Sequence, residues 1–192
     1  MSTRTFVAIE LDESALEALA RQQSALAAVL PGARWVDPRG IHLTLAFLGP
    51  LEDEQLEQTI SAAKAAAREA RPFELRIGGI GFFGSPRAPR VVWAGVEDRT
   101  GYLAALHERL NTLLASYGFP VDSRPFAPHL TLARLNDRLS PDALAQFQVM
   151  ARETPQALAT MFVNTLSVMK SELSRDGARY TCLRAYTFGG EP

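Results

Sequence analysis

With 192 residues, 47% of them hydrophobic and 21% charged, the chain has the make-up of a folded globular protein. That length suits one domain, 1–192, or two small lobes around a shared core. Twenty basic residues against 21 acidic ones leave a net charge of −1, which excludes a broad cationic face for long nucleic acid. A lone cysteine excludes an internal disulfide and any CxxC motif. No apolar run approaches the ~20 residues of a membrane span, so a cytoplasmic protein is expected, and separately a monomer.

Phe6 to Ile9 reads as a first strand. A helix follows from Asp12, its N-cap, with Leu16, Leu19, Ala20, Leu26, Ala27 and Leu30 on its apolar face, until Pro31 and Gly32 stop it. A strand opening at His42 ends at Gly49 and Pro50, and the Ala-rich stretch from Glu52 to Ala70 reads as a second helix. Phe73, Leu75 and Ile77 alternate with polar residues as a half-buried strand does, and a glycine-rich bulge or turn follows at 78–86. Val91 to Val96 is another strand. Thr100 is placed to cap a third helix with Leu103, Leu106, Leu110, Leu113 and Leu114 inward, and Gly118 to end it. Ser140 and Pro141 open a fourth helix, with Leu144 and Phe147 inward. Two segments, Phe162 to Lys170 and Arg179 to Phe188, close the chain about a turn at Asp176-Gly177, and Cys182 in the second reads as a buried structural thiol. Similar contents before and after residue 90 predict two related lobes.

One heptad occurs almost twice: His42-Leu43-Thr44-Leu45-Ala46-Phe47-Leu48 and His129-Leu130-Thr131-Leu132-Ala133-Arg134-Leu135 match at six of seven positions. Strand geometry sends alternate side chains to opposite faces, so each copy presents a His and a Thr together with two leucines behind. Two such strands brought together would face one cleft with two imidazoles and two hydroxyls. Imidazole is the side chain best suited to exchange protons near neutrality. Two of them flanking a phosphorus supply a general base toward water and a general acid toward the leaving oxygen. The Thr44 and Thr131 hydroxyls can donate to non-bridging phosphate oxygens, where charge must be held. Arg134 is the candidate guanidinium for the same oxygens. Strict alternation puts it on the Leu130 face, so it reaches the cleft only if the strand twists, bulges or ends near Ala133. No HxH, HExxH or acidic cluster accompanies the histidines, so no metal is expected.

His107, the third histidine, reads as a solvated or partly buried helical residue. Arg87 and Arg90 stand in a Pro-stiffened basic loop, and Arg90 is a candidate RNA contact. Arg34, Arg39 and Arg124 precede the two motif strands, where a surface role is the simpler reading. Phe47, Trp35, Phe126 and Phe82-Phe83 are candidates for stacking a nucleobase, Phe47 the foremost of them.

The two HxTx motifs, 87 positions apart, resemble the signature of the two-histidine (2H) phosphoesterase superfamily. Within it, nearly the whole chain is similar to the RNA 2′,3′-cyclic phosphodiesterases, also called 2′-5′ RNA ligases. Phe6-Val7-Ala8-Ile9 resembles their opening strand, and Trp35 precedes the first motif. HLTLAFLG from His42 to Gly49, Pro89 to Trp93, Phe126 to Arg134, and Ser171-Glu172-Leu173 with Gly177 and Tyr180 fit the segments that follow. The resemblance implies an α+β bilobal fold: two pseudo-symmetric antiparallel sheets facing a central cleft, with helices packed outside. It implies metal-independent, cofactor-free hydrolysis of RNA 2′,3′-cyclic phosphate ends to 2′-phosphomonoesters, the partner being such an RNA or a small cyclic nucleotide. It also implies catalysis by His42 and His129, with Thr44, Thr131 and Arg134 on the phosphate, His129 as base and His42 as acid. The alternatives are 2′-5′ RNA ligation or cleavage at the same site, and a non-catalytic RNA-end-binding module.

Overall fold

The computed structural model describes residues 2–120, 124–136, 138–174 and 177–190. Nine strands form two antiparallel sheets among these residues. The first holds β1 (Thr3–Glu10), β3 (His42–Leu51), β8 (Thr165–Ser174) and β9 (Gly177–Thr187), in the order β3-β1-β8-β9. The second holds β2 (Arg34–Trp35), β4 (Phe73–Ser85), β5 (Ala88–Glu97), β6 (His129–Arg134) and β7 (Ala159–Val163), in the order β2-β6-β5-β4-β7. One HxTx strand therefore sits in each sheet.

The sheets do not divide the chain at residue 90. Each draws strands from both sides of it, because β8 returns to pair with β1 and carries β9 on its other edge, while β2 leaves early to pair with β6. The segment expected as one strand from Phe162 to Lys170 is also two strands in different sheets. Asn164 is the residue between them, and its carbonyl accepts the Phe188 N–H at 2.8 Å. β-favouring residues on both sides hide that break in the sequence. Of the closing turn, Asp176 lies outside the described residues.

Four helices cover the sheets: α1 (Glu13–Ala27), α2 (Asp53–Glu69), α3 (Tyr102–Ser116) and α4 (Pro141–Glu153). α2 packs on β1, β8 and β9 through Ala62, Ala63, Ala66 and Ala67, a stripe whose small side chains let the helix lie close to the sheet. Leu103, Leu106, Leu110 and Leu114 give α3 its buried stripe, and Leu113 lies half-buried beside it. Gly118, at φ 85°, takes the left-handed conformation that ends the helix. Asp12 and Ser140 cap α1 and α4 as expected, accepting from the Ala15 and Ala143 amides. In β1, Val7 and Ile9 enter the main core, while Phe6 and Ala8 lie on the opposite face in a small second cluster with Met169.

Two further expectations are corrected. α3 starts from Gly101, not from a Thr100 cap; the Asp98 carboxylate accepts the Thr100 and Leu103 amides at 2.8 and 2.7 Å, and a charged acceptor outcompetes a hydroxyl there. Cys182 is exposed, because β9 forms the edge of its sheet. Burial works to raise the Asp98 carboxyl, but its hydrogen bonds hold it below the ordinary value. Its stabilisation is therefore complete above the unfolded pKa of about 3.9 and is lost as pH falls through the lower folded value. Asp98→Ala should destabilise the protein by about 1 kcal/mol, a Tm drop of about 2–4 °C in a melt at pH 7. An equal drop for variant and wild type between pH 7 and pH 2 would refute the titration.

Candidate active site

The two HxTx strands share a local build that alternation alone does not give. In β6, Thr131 pairs with Trp93 and Ala133 with Val92, so Leu132 has no partner on β5. In β3, Thr44 pairs with Ala8 and Ala46 with Val7, so Leu45 is the unpaired residue. Each strand thus bulges at the same motif position. Burial follows, with two consecutive buried residues (Leu45-Ala46, Leu132-Ala133) and then a return to the His/Thr face at Phe47 and Arg134. The bulge brings Arg134 to the cleft, resolving the conflict with strict alternation.

His42, Thr44, Phe47, His129, Thr131 and Arg134 together line one cavity of about 270 Å³ between the sheets. Arg4, Phe6, Ser171 and Tyr180 line it as well. A second cavity of about 600 Å³ adjoins it, sharing Thr44, Phe47 and His129 and extending past Phe83, Arg124 and Phe126 to His107 on α3. Phe47, 58% exposed, stands between the two, with the Arg4 guanidinium 4.8 Å from its ring centroid.

The imidazoles are held alike. His42 Nδ1 lies 2.7 Å from the Gly40 carbonyl and His129 Nδ1 lies 2.8 Å from the Ala127 carbonyl. A carbonyl only accepts, so each Nδ1 must carry the proton, and Nε2 is left to give or take another. Aromatic rings fix the ring planes. Phe6 stacks on His42 at 4.6 Å and Tyr180 meets it edge-on at 4.8 Å, while Phe83 meets His129 edge-on at 4.7 Å. Trp93 lies behind His129 at 6.5 Å, against Gly81, where a Cβ would collide with the indole ring.

Burial lowers the His42 pKa below the usual 6.5, against the opposing pull of the Gly40 carbonyl and of the Glu10 carboxylate. Glu10 pairs with His42 across the β1–β3 ladder and accepts a 2.7 Å hydrogen bond from the Ser167 hydroxyl. In an NMR titration, His42 Hε1 should therefore reach its midpoint below pH 6.5. A midpoint above that value would contradict the burial argument.

The remaining sequence candidates are scattered. Arg90 is exposed near the end of the β4–β5 hairpin, and Arg34, Arg39, Arg87 and Arg90 line neither cavity. His107 is partly buried, stacked on Phe126 at 3.8 Å with the Asn111 amide 2.9 Å from its Nε2. Phe82 packs on Phe147 at 5.9 Å, and Trp35 packs against the core. Arg4 and Phe6 were not singled out as site residues by the sequence reading. The signal was there, since alternation extended back from Ala8 puts both on one face.

Two antiparallel sheets, each presenting one HxTx strand to a common cleft, are the build of a two-histidine phosphoesterase. The chain belongs to the 2′-5′ RNA ligase superfamily, whose family model matches residues 34–175. It is 32% identical over 187 residues to an RNA 2′,3′-cyclic phosphodiesterase of Geobacillus stearothermophilus, covering 97% of this chain but 58% of that longer protein. It is 31% identical over 186 residues to one of Methanothermobacter thermautotrophicus, covering 97% of this chain and 99% of the relative. A solved structure from Thermus thermophilus superposes with a TM-score of 0.79 at 28% identity, over 98% of this chain and 100% of that one.

Proposed function

We propose that the protein hydrolyses RNA 2′,3′-cyclic phosphate ends to 2′-phosphomonoesters by paired-histidine acid–base catalysis, without a metal. The observation that carries this reading is the matched pair of imidazoles on one cavity, each with Nδ1 tied to a backbone carbonyl and Nε2 left for chemistry. The relatives, RNA 2′,3′-cyclic phosphodiesterases by name, supply the substrate class.

In this reading the cyclic phosphate sits between the motifs, with Thr44, Thr131 and Arg134 donating to its non-bridging oxygens. His129 Nε2 takes a proton from water, whose oxygen bonds to phosphorus. The P–O3′ bond breaks opposite it, and O3′ takes the proton from His42 Nε2. The assignment of base and acid comes from the family resemblance. A lowered pKa makes protonated His42 a strong acid, and the anionic phosphate favours its protonated form.

Among the described residues, no three His, Cys, Asp or Glu side chains stand together to hold a cation. Turnover of a cyclic-phosphate-ended oligonucleotide should survive EDTA; abolition restored by zinc would refute metal independence. The pH–rate profile should be a bell, because one imidazole must be neutral and the other protonated, with its two limbs belonging to the pair. A flat profile from about pH 5 to 9 would refute the pairing. Adding an oligonucleotide with a free 5′-hydroxyl tests ligation, and a 2′-5′ joined product would make that the preferred reading.

A further inference from the structure

The buried stripe of α1 contains one polar residue. Gln23 is 6% exposed, in line with Ala15, Ala18, Leu19 and Leu26. Its amide nitrogen donates to the carbonyls of Leu132 at 3.0 Å and Val36 at 2.9 Å. Leu132 is the unpaired residue of the β6 bulge, the one that turns Arg134 to the cleft. The Leu132 carbonyl also accepts the Val36 amide at 2.9 Å, so Gln23 closes a small junction around the bulge.

This junction stands on the side of β6 where the sheet gives less support. The outer neighbour of β6 is β2, only two residues long, pairing Arg34 with Arg134 and Trp35 with Ala133. The ladder on that side ends at the bulge. On the other side the β5 ladder brackets the bulge, with Thr131 opposite Trp93 and Arg134 opposite Val91, as the β1 ladder brackets the matching bulge of β3. A β6 strand in strict alternation would send Arg134 to the leucine face, and a bulge is the local alternative to that register. Without the amide the Val36 carbonyl would lose this donor, and the Leu132 carbonyl would keep only the Val36 amide.

We propose that Gln23 is a positioning residue for the reaction: its amide clamps the β6 bulge and so keeps the Arg134 guanidinium in the phosphate cleft, without touching substrate. The inference rests on the reading of Arg134 as a phosphate ligand.

The test compares wild type, Gln23→Leu, Arg134→Ala and the double variant by kcat and KM on a cyclic-phosphate-ended oligonucleotide. Gln23→Leu should lower kcat/KM about 10- to 100-fold, as displaced catalytic groups do. In the Arg134→Ala background the same change should cost less than about twofold, because both act through one group. An equal loss in both backgrounds, or wild-type kinetics for Gln23→Leu, would overturn the proposal. If Gln23→Leu does not fold, Gln23→Glu replaces it: a protonated carboxyl can donate one hydrogen bond and an ionised one none. Its activity relative to wild type should then fall as pH rises, and a constant ratio would overturn the proposal. If wild type shows no turnover, the phosphodiesterase reading fails by itself. A crystal structure of the Gln23 variant then decides the positioning, with Arg134 out of the cleft supporting it and Arg134 unmoved refuting it.

Discussion

His42→Ala and His129→Ala should each lower kcat/KM on a 2′,3′-cyclic phosphate by about 10²–10⁴-fold, the range for loss of a positioned acid or base. That corresponds to about 3–5 kcal/mol of transition-state stabilisation per imidazole. The losses should not add in the double variant, since proton removal and proton delivery serve one displacement. A substrate with sulfur in place of O3′ separates the roles, because a thiolate leaves without a proton. It should restore much of the rate to His42→Ala and little to His129→Ala. Rescue of His129→Ala instead would exchange the two roles, and rescue of neither would contradict acid catalysis at O3′. Both variants should keep the wild-type fold, checked by circular dichroism, because neither imidazole is part of the main core.

Arg134→Ala should lower kcat/KM by about 10²–10³-fold, the loss typical of one charge-holding donor. Arg134→Lys should recover only part, since an ammonium keeps the charge and loses the two-pronged fit to phosphate oxygens. The single and double Gln23 variants then show whether the loss depends on where the guanidinium is held. A wild-type rate for Arg134→Ala would remove this residue from the site despite its place on the cavity wall.

The shared His/Thr face of each HxTx heptad was legible because period-two alternation is local and both copies obey it up to Thr44 and Thr131. It stopped being legible one residue later. The bulges at Leu45 and Leu132 are properties of two strands in register, and nothing in either heptad marks them. That is why Arg134 was ambiguous and why Phe47 occupies the matching place in the first strand. Gln23 left a trace, as a polar residue on an otherwise apolar helical stripe, but its partners are backbone carbonyls that no sequence pattern displays. The Gly40 and Ala127 carbonyls that fix the imidazole tautomers were invisible for the same reason. Helices were read nearly in place, since their apolar periodicity and caps are local. The partition into sheets was not, because β1 joins strands from both ends of the chain.

Hydrolysis by the two imidazoles with O3′ as the leaving group leaves a signature in the product. The most direct measurement is turnover of a cyclic-phosphate-ended oligonucleotide in ¹⁸O-water and EDTA, with the phosphate position and label mapped for wild type, His42→Ala and His129→Ala. Wild type should give a 2′-phosphate carrying one ¹⁸O, and both variants should lose that product. A 3′-phosphate, or undiminished turnover by either alanine variant, would contradict it.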